Sequence, residues 1–153
     1  AGVLAHLADR GGEAARAAVG DGAVPPLGAR RQAGVGHALF PTSVADLHSD
    51  ANKLSKENSL TEKGAVVNGR GDTPNTHDIM TGSNLDGTLA GDALTCNNWT
   101  SSGEGSAQVG HHDRTGGGQN PTSWNSAHPS KGCSQANLVA TGGAGLIYCF
   151  AAK

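Results

Sequence analysis

Aromatic side chains are scarce in this chain. They make up 3% of its 153 residues, hydrophobic residues of all kinds reach 36%, and there is one methionine against 24 glycines. That supply supports one modest core and implies long loops that something other than packing must fix. No stretch of about 18 apolar residues occurs, so the sequence gives no membrane span. Neither sign of charge dominates: the formal net charge is -2, with no basic surface for nucleic acid and no acidic tail. A basic stretch followed by an apolar run is missing at Ala1, so no signal peptide is visible there; an exported parent protein would carry one. The signatures of common catalysts are lacking too. There is no nucleophile elbow, Walker loop or dinucleotide fingerprint, and Gly116-Gly117-Gly118 follows no clear strand and precedes no helix, which makes it a flexible loop.

Cysteine is present in an odd number, three, so not every thiol can pair within the chain. Cys96 and Cys133 enclose a long polar stretch carrying Trp99, His111, His112, Trp124 and His128, and they are the favoured pair, because a loop that polar calls for a covalent tie. Cys149 is left over in an apolar strand. It is either a buried free thiol acting as a small hydrophobe or a cysteine whose partner is absent from this chain.

The chain divides into two unlike parts, 1–41 and 42–153. Residues 1–40 hold eleven alanines, eight glycines and four of the six arginines, with no Ser, Thr, Asn, Lys, Ile, Tyr, Trp or Cys. The run Glu13 to Val19 can form a short helix between Gly11-Gly12 and Gly20. Ala, Gly, Arg and Pro share GC-rich codons, so this composition fits translation of a GC-rich gene in a shifted frame; it also fits an ordinary Ala/Gly-rich extension.

From residue 42 the pattern is that of a selected domain. Thr42 or Ser43 caps a helix with apolar positions Val44, Leu47, Ala51 and Leu54, and Gly64 ends its extension through Leu60. Short strands are expected at Ala65–Val67, Ile79-Met80 and Asp92–Cys96, with turns at Asn68-Gly69 and Asn84–Gly87. Leu146 to Phe150 is the strongest strand, and 103–134 reads mostly as loop.

The chemistry concentrates in His111-His112-Asp113, with His128, His77 and Asp78 of similar character. His111, His112, Asp113 and His128 are the candidate metal set, although adjacent residues on an extended strand point to opposite faces and no strong zinc signature such as H-E-x-x-H is present. The alternative for these residues is a hydrogen-bonded network that orders the loop. Arg70-Gly71-Asp72 follows a turn, and turn capping or ion pairing accounts for it better than receptor recognition does. Asn98-Trp99-Thr100 fits a glycosylation sequon.

Several blocks together resemble a group of bacterial exported proteins described as lectin-like. They are Leu47-His48-Ser49-Asp50, Leu60–Gly64, Val67–Asp72, Cys96–Thr100, Val109–Arg114, Ser123–Ser126, Gly132–Ser134, Thr141–Gly143 and Leu146–Phe150, spanning about Asp46 to Ala151. The group is similar to the C-type-lectin-like and endostatin-like fold. The resemblance implies an α+β domain with two short antiparallel sheets and nested disulfides. The inner pair falls on Cys96 and Cys133; the outer pair joins Cys149 to a position near the N-terminus where this chain has no cysteine, so the family's first strand and helix are missing or replaced.

What the resemblance implies for function is a secreted or periplasmic, non-catalytic module that binds a glycan or cell-surface polymer through the 96–133 region. Trp124 can stack on a sugar while Asn97, Asn98, Gln119 and Asn125 bond hydroxyls; for both Trp99 and Trp124 the competing role is to anchor the core. The Glu-Pro-Asn and Gln-Pro-Asp motifs of calcium-dependent sugar sites are absent, so the cofactor stays open between none and a divalent cation, calcium or zinc. The alternatives are a metal-dependent enzyme centred on the His111/His112/Asp113 cluster and a structural or adhesion module.

Overall fold

The computed structural model describes residues 43–49, 52–61 and 63–149. The Ala/Gly/Arg-rich segment and the expectations attached to it lie outside those residues, as do Ala51 and Phe150.

Ser43 caps a first helix, α1 (Val44–Leu47), by accepting from the Asp46 amide at 3.0 Å. The helix is one turn long, shorter than its apolar spacing suggests. Polar side chains capture its end: Ser49 Oγ donates to Asp46 O at 2.9 Å, and Asn52 Nδ2 donates to Leu47 O at 2.7 Å. Such side chains offer the backbone an alternative to further helical turns. A 3-10 turn, Lys56–Asn58, follows.

One mixed sheet organises the rest. Its strands are β1 (Asp78–Met80), β2 (Gln108–His111), β3 (His128–Pro129) and β4 (Gly143–Ile147), in the order β3-β2-β1-β4. β1 is antiparallel to β2 and parallel to β4, and β2 is antiparallel to β3. The architecture is α+β, with a single mixed sheet among the described residues where two antiparallel ones were expected. Asp92–Leu94, expected as a strand, is a 3-10 turn. Two strands and the helix α3 (Gln135–Thr141, capped by Ser134) lie in or just beyond the stretch that reads as loop. β2 escapes a periodicity reading because its sequence is Gln-Val-Gly-His and all four residues are buried, so no alternation is visible.

The Cys96–Cys133 disulfide is present, with Cα atoms 5.7 Å apart. Cys96, Ala107 and Cys133 form the buried apolar cluster, with Met80 and Trp99 packed on it. Cys96 opens the turn α2 (Cys96–Trp99), whose four residues all have positive φ, from 51° to 64°. Left-handed backbone costs roughly 1–2 kcal/mol for each non-glycine residue. Bonds from Cys96 N to Ser106 O and from Asn98 N to Thr95 Oγ1, together with the disulfide, brace it. Cys149 is a free thiol, exposed rather than buried.

Register places the chemistry. Asp78 pairs with His111, Met80 with Val109, and Val109 with His128. By alternation, Asp78, Met80, Val109, His111 and His128 share one face. The disulfide cluster sits at the Met80 end of that face and three chemistry-bearing residues sit at the other.

Candidate metal centre

His77, Asp78, His111 and His128 converge at the far end of this face. The Asp78 carboxylate is the hub: its Oδ1 lies 3.2 Å from His77 Nε2, 3.2 Å from His111 Nε2 and 3.7 Å from His128 Nε2. The His111 and His128 Nε2 atoms are 3.1 Å apart. The His77 and His111 rings stack at 4.4 Å, and His128 meets His111 edge-on at 5.0 Å. His77, Asp78 and His111 are buried, and His128 is the one partly open member.

The second ring nitrogen of each histidine decides what these contacts mean. His111 Nδ1 is 2.7 Å from Pro121 O, and His128 Nδ1 is 3.0 Å from Pro129 O. A carbonyl oxygen only accepts, so both Nδ1 atoms carry hydrogen and donate. His77 Nδ1 lies 3.2 Å from Asp113 Oδ1. Burial raises the Asp113 pKa, but donation from the Arg70 and Thr115 amides and from His77 outweighs it, so the net shift is downward and the group is an ionised acceptor. In the neutral ring, hydrogen on Nδ1 leaves a lone pair on Nε2. Three imidazole lone pairs therefore face one another across a carboxylate whose two oxygens have no hydrogen-bond partner. Four acceptors around one point without a proton repel; a cation at that point turns every contact favourable. Outer hydrogen bonds from a histidine's other nitrogen to a carboxylate or carbonyl are the usual second layer of a metal site.

The protein-only alternative protonates His111. Burial works against its charged form, yet the neighbouring Asp78 carboxylate and Pro121 carbonyl outweigh it, and its pKa is raised overall. An imidazolium there would bond to Asp78 or His128, leaving the His77 lone pair facing the carboxylate still.

Glycines close the site. A Cβ at Gly116, where φ is +144°, would sit 2.5 Å from His111 Cε1, and one at Gly118, where φ is +95°, would sit 2.7 Å from His128 Cδ2. The triglycine stretch thus lies directly on the histidine rings.

The residues singled out from sequence divide as follows. His111 and His128 belong to the convergent set. His112 points elsewhere: its Nε2 lies 3.0 Å from Asn68 O, and burial lowers its pKa. Asp113 holds His77 from outside, and its Oδ2 accepts from Arg70 N at 2.6 Å. His77 and Asp78 complete the set; the signal for them was a His-Asp pair at the start of an apolar strand. Asp72 caps its turn by accepting from Gly69 N and pairs with Lys56.

Gln119, Trp124 and Asn125 line an open polar cleft of about 440 Å³, together with Arg114 and His48. Trp124 is 6% exposed, its ring set between His48 and Tyr148 at 5.4 Å from each. Asn125 is buried and its Nδ2 donates to Asn84 O at 2.7 Å, so it braces the 83–89 hairpin. Asn97 and Asn98 lie exposed on the α2 turn and are not in that cleft.

No family model, curated protein or solved structure matches the chain.

Proposed function

We propose that this protein binds one divalent transition metal, zinc by its ligand chemistry, through His77 Nε2, Asp78 Oδ1, His111 Nε2 and His128 Nε2. The observation that carries the reading is the convergence of three imidazole Nε2 atoms on one oxygen of the buried Asp78 carboxylate. Nitrogen-rich donors favour zinc and its neighbours in the periodic table over calcium, which takes oxygen ligands. His77, Asp78 and His111 offer donor atoms within 4.8 Å of one another, and His128 Nε2, 3.7 Å from Asp78 Oδ1, stands at the open side as the fourth donor. With His128 on the ion no position stays open for substrate, unlike a catalytic zinc site, and the ion acts as a clamp within a binding module.

The test is calorimetric titration of chelator-treated protein with zinc, beside the variants Asp78→Asn and His111→Ala. One equivalent is expected to bind the parent chain and to raise its Tm, with both effects lost in the variants. A parent chain that takes up no zinc would leave the imidazolium network standing instead.

A second reading has its own support. The cleft lined by Gln119 and Trp124 suits a lectin-like, carbohydrate-binding role for the same module. The reading draws on the resemblance noted in the sequence and on two coarse features, the α+β architecture and the Cys96–Cys133 tie. A disulfide also favours a secreted or periplasmic setting, since such bonds persist in oxidising compartments.

A further inference from the structure

The polar cleft has a charge signature. Among the described residues that line it, Arg114 is the one with a permanent charge and none is a carboxylate. Among the described residues Arg114 has no ion-pair partner. Its guanidinium is aimed by two long contacts, Nη1 to Thr122 O and Nη2 to Asn52 O, each 3.4 Å, which leaves donors free. His48 lines the same cleft, and both of its ring nitrogens are buried without a hydrogen-bond partner. Around these groups stand amides and hydroxyls, Gln119, Asn120 and Thr122, at exposed or half-buried positions. A guanidinium fork matches a carboxylate or a phosphate bidentately, and the hydroxyl-binding surroundings favour the carboxylate of a sugar acid over a bare phosphate. The surrounding amides and hydroxyls match ring hydroxyls, and the volume falls in the range of ordinary ligand clefts.

The wall of the cleft is tied to the metal centre. Its residues 119–125 all lie on the chain between His111 and His128. The Pro121 carbonyl that accepts from His111 Nδ1 belongs to this wall, and so does Ser123, whose carbonyl accepts from His111 N at 2.8 Å. The β2–β3 pairing already closes that loop at its base, and an ion joining His111 to His128 adds a second tie that further restricts the wall.

We infer that the cleft binds an acidic saccharide, with its carboxylate on Arg114 and its hydroxyls on the 119–122 wall, and that the metal ion sets the affinity by holding the wall. The coupling rests on the metal reading above; the cleft chemistry does not. The experiment measures binding of galacturonic acid oligomers, galactose oligomers and inorganic phosphate to the zinc-loaded full chain, to the chelated chain, and to Arg114→Gln and Arg114→Lys.

The acidic sugar is expected to bind saturably, at least tenfold tighter than the neutral one. Arg114→Gln should lose that preference and Arg114→Lys should keep part of it, both with unchanged zinc uptake and circular dichroism. Chelation should weaken binding several-fold. Equal affinity for the neutral sugar, or an unaffected Arg114→Gln, overturns the ligand class. Phosphate competing as well as the sugar overturns the saccharide and leaves a free-anion site. Binding that ignores chelation in a chain shown to hold zinc overturns the coupling. A chain that holds no zinc yet shows Arg114-dependent sugar binding sinks the metal reading and leaves the cleft.

Discussion

Asp78 is the residue on which the most turns. A buried carboxylate without a hydrogen bond costs stability, and that cost reverses when a cation arrives. Asp78→Asn separates the two states. Without metal it should be more stable than the parent by about 1–3 kcal/mol, the usual penalty of an unsatisfied buried polar group. With zinc present the order should invert, read by thermal melts of both proteins with and without zinc. Asp113 acts at one remove, through His77 Nδ1, so Asp113→Asn should cost about 10–100-fold in zinc affinity with its stoichiometry kept, measured by chelator competition.

At this scale the sequence was partly legible. His111 and His128 stood out as imidazoles of one loop. His112 and Asp113 entered by adjacency, and alternation places His111 and His112 on different partners. The pairing of Asp78 with His111 is a register fact that no local pattern carries.

Tyr148 offers a pH prediction. Burial raises its pKa well above the usual tyrosine value, and its hydroxyl donates to Trp124 O at 3.1 Å. The folded state therefore holds this proton more tightly than the unfolded chain does. Its contribution is fully present below about pH 10 and is lost as pH rises from there toward the higher folded value. Because the chain has one tyrosine, tyrosinate absorbance during an alkaline titration should appear together with unfolding, not before it. Tyr148→Phe should remove that alkaline loss while costing about 1 kcal/mol at neutral pH.

Among the elements, the triglycine stretch changes meaning most between sequence and structure. Gly116-Gly117-Gly118 reads as flexible linker, yet two of its members press on histidine rings with positive φ. Nothing in a run of glycines distinguishes slack from close approach. Gly116→Ala should be strained on both counts: a left-handed backbone, costing roughly 1–2 kcal/mol, and a methyl group against the ring of His111. The expected result is a lower zinc affinity than that of a Gly117→Ala control, since a Cβ at Gly117 meets nothing within 4 Å. The short strands β2 and β3 were hidden for a related reason. They owe their extended form to pairing with β1 and with each other, not to an alternating pattern of their own. The terminal strand was legible in kind, and begins at Gly143, ahead of the apolar run.

For the whole molecule, the thin core sets the terms. One sheet face carries a disulfide cluster at one end and the histidine cluster at the other, with Met80 and Val109 between them. Composition made the need for such ties legible, and the cysteine spacing identified the covalent one. The second could be seen only once three strands lay side by side. Reducing the disulfide should cost about 2–4 kcal/mol. If both clamps act on one cooperative unit, zinc should rescue part of the Tm lost on reduction, as calorimetry with a mild reductant would report.

The donors come from three strands and from His77, which directly precedes β1, and they lie far apart along the chain. No one strand can encircle an ion with all four; β1, β2 and β3 must be assembled. Cobalt, which turns blue in a tetrahedral cage, should thus colour a refolding solution only when β3 has zipped onto β2, and the onset of that colour would clock that pairing.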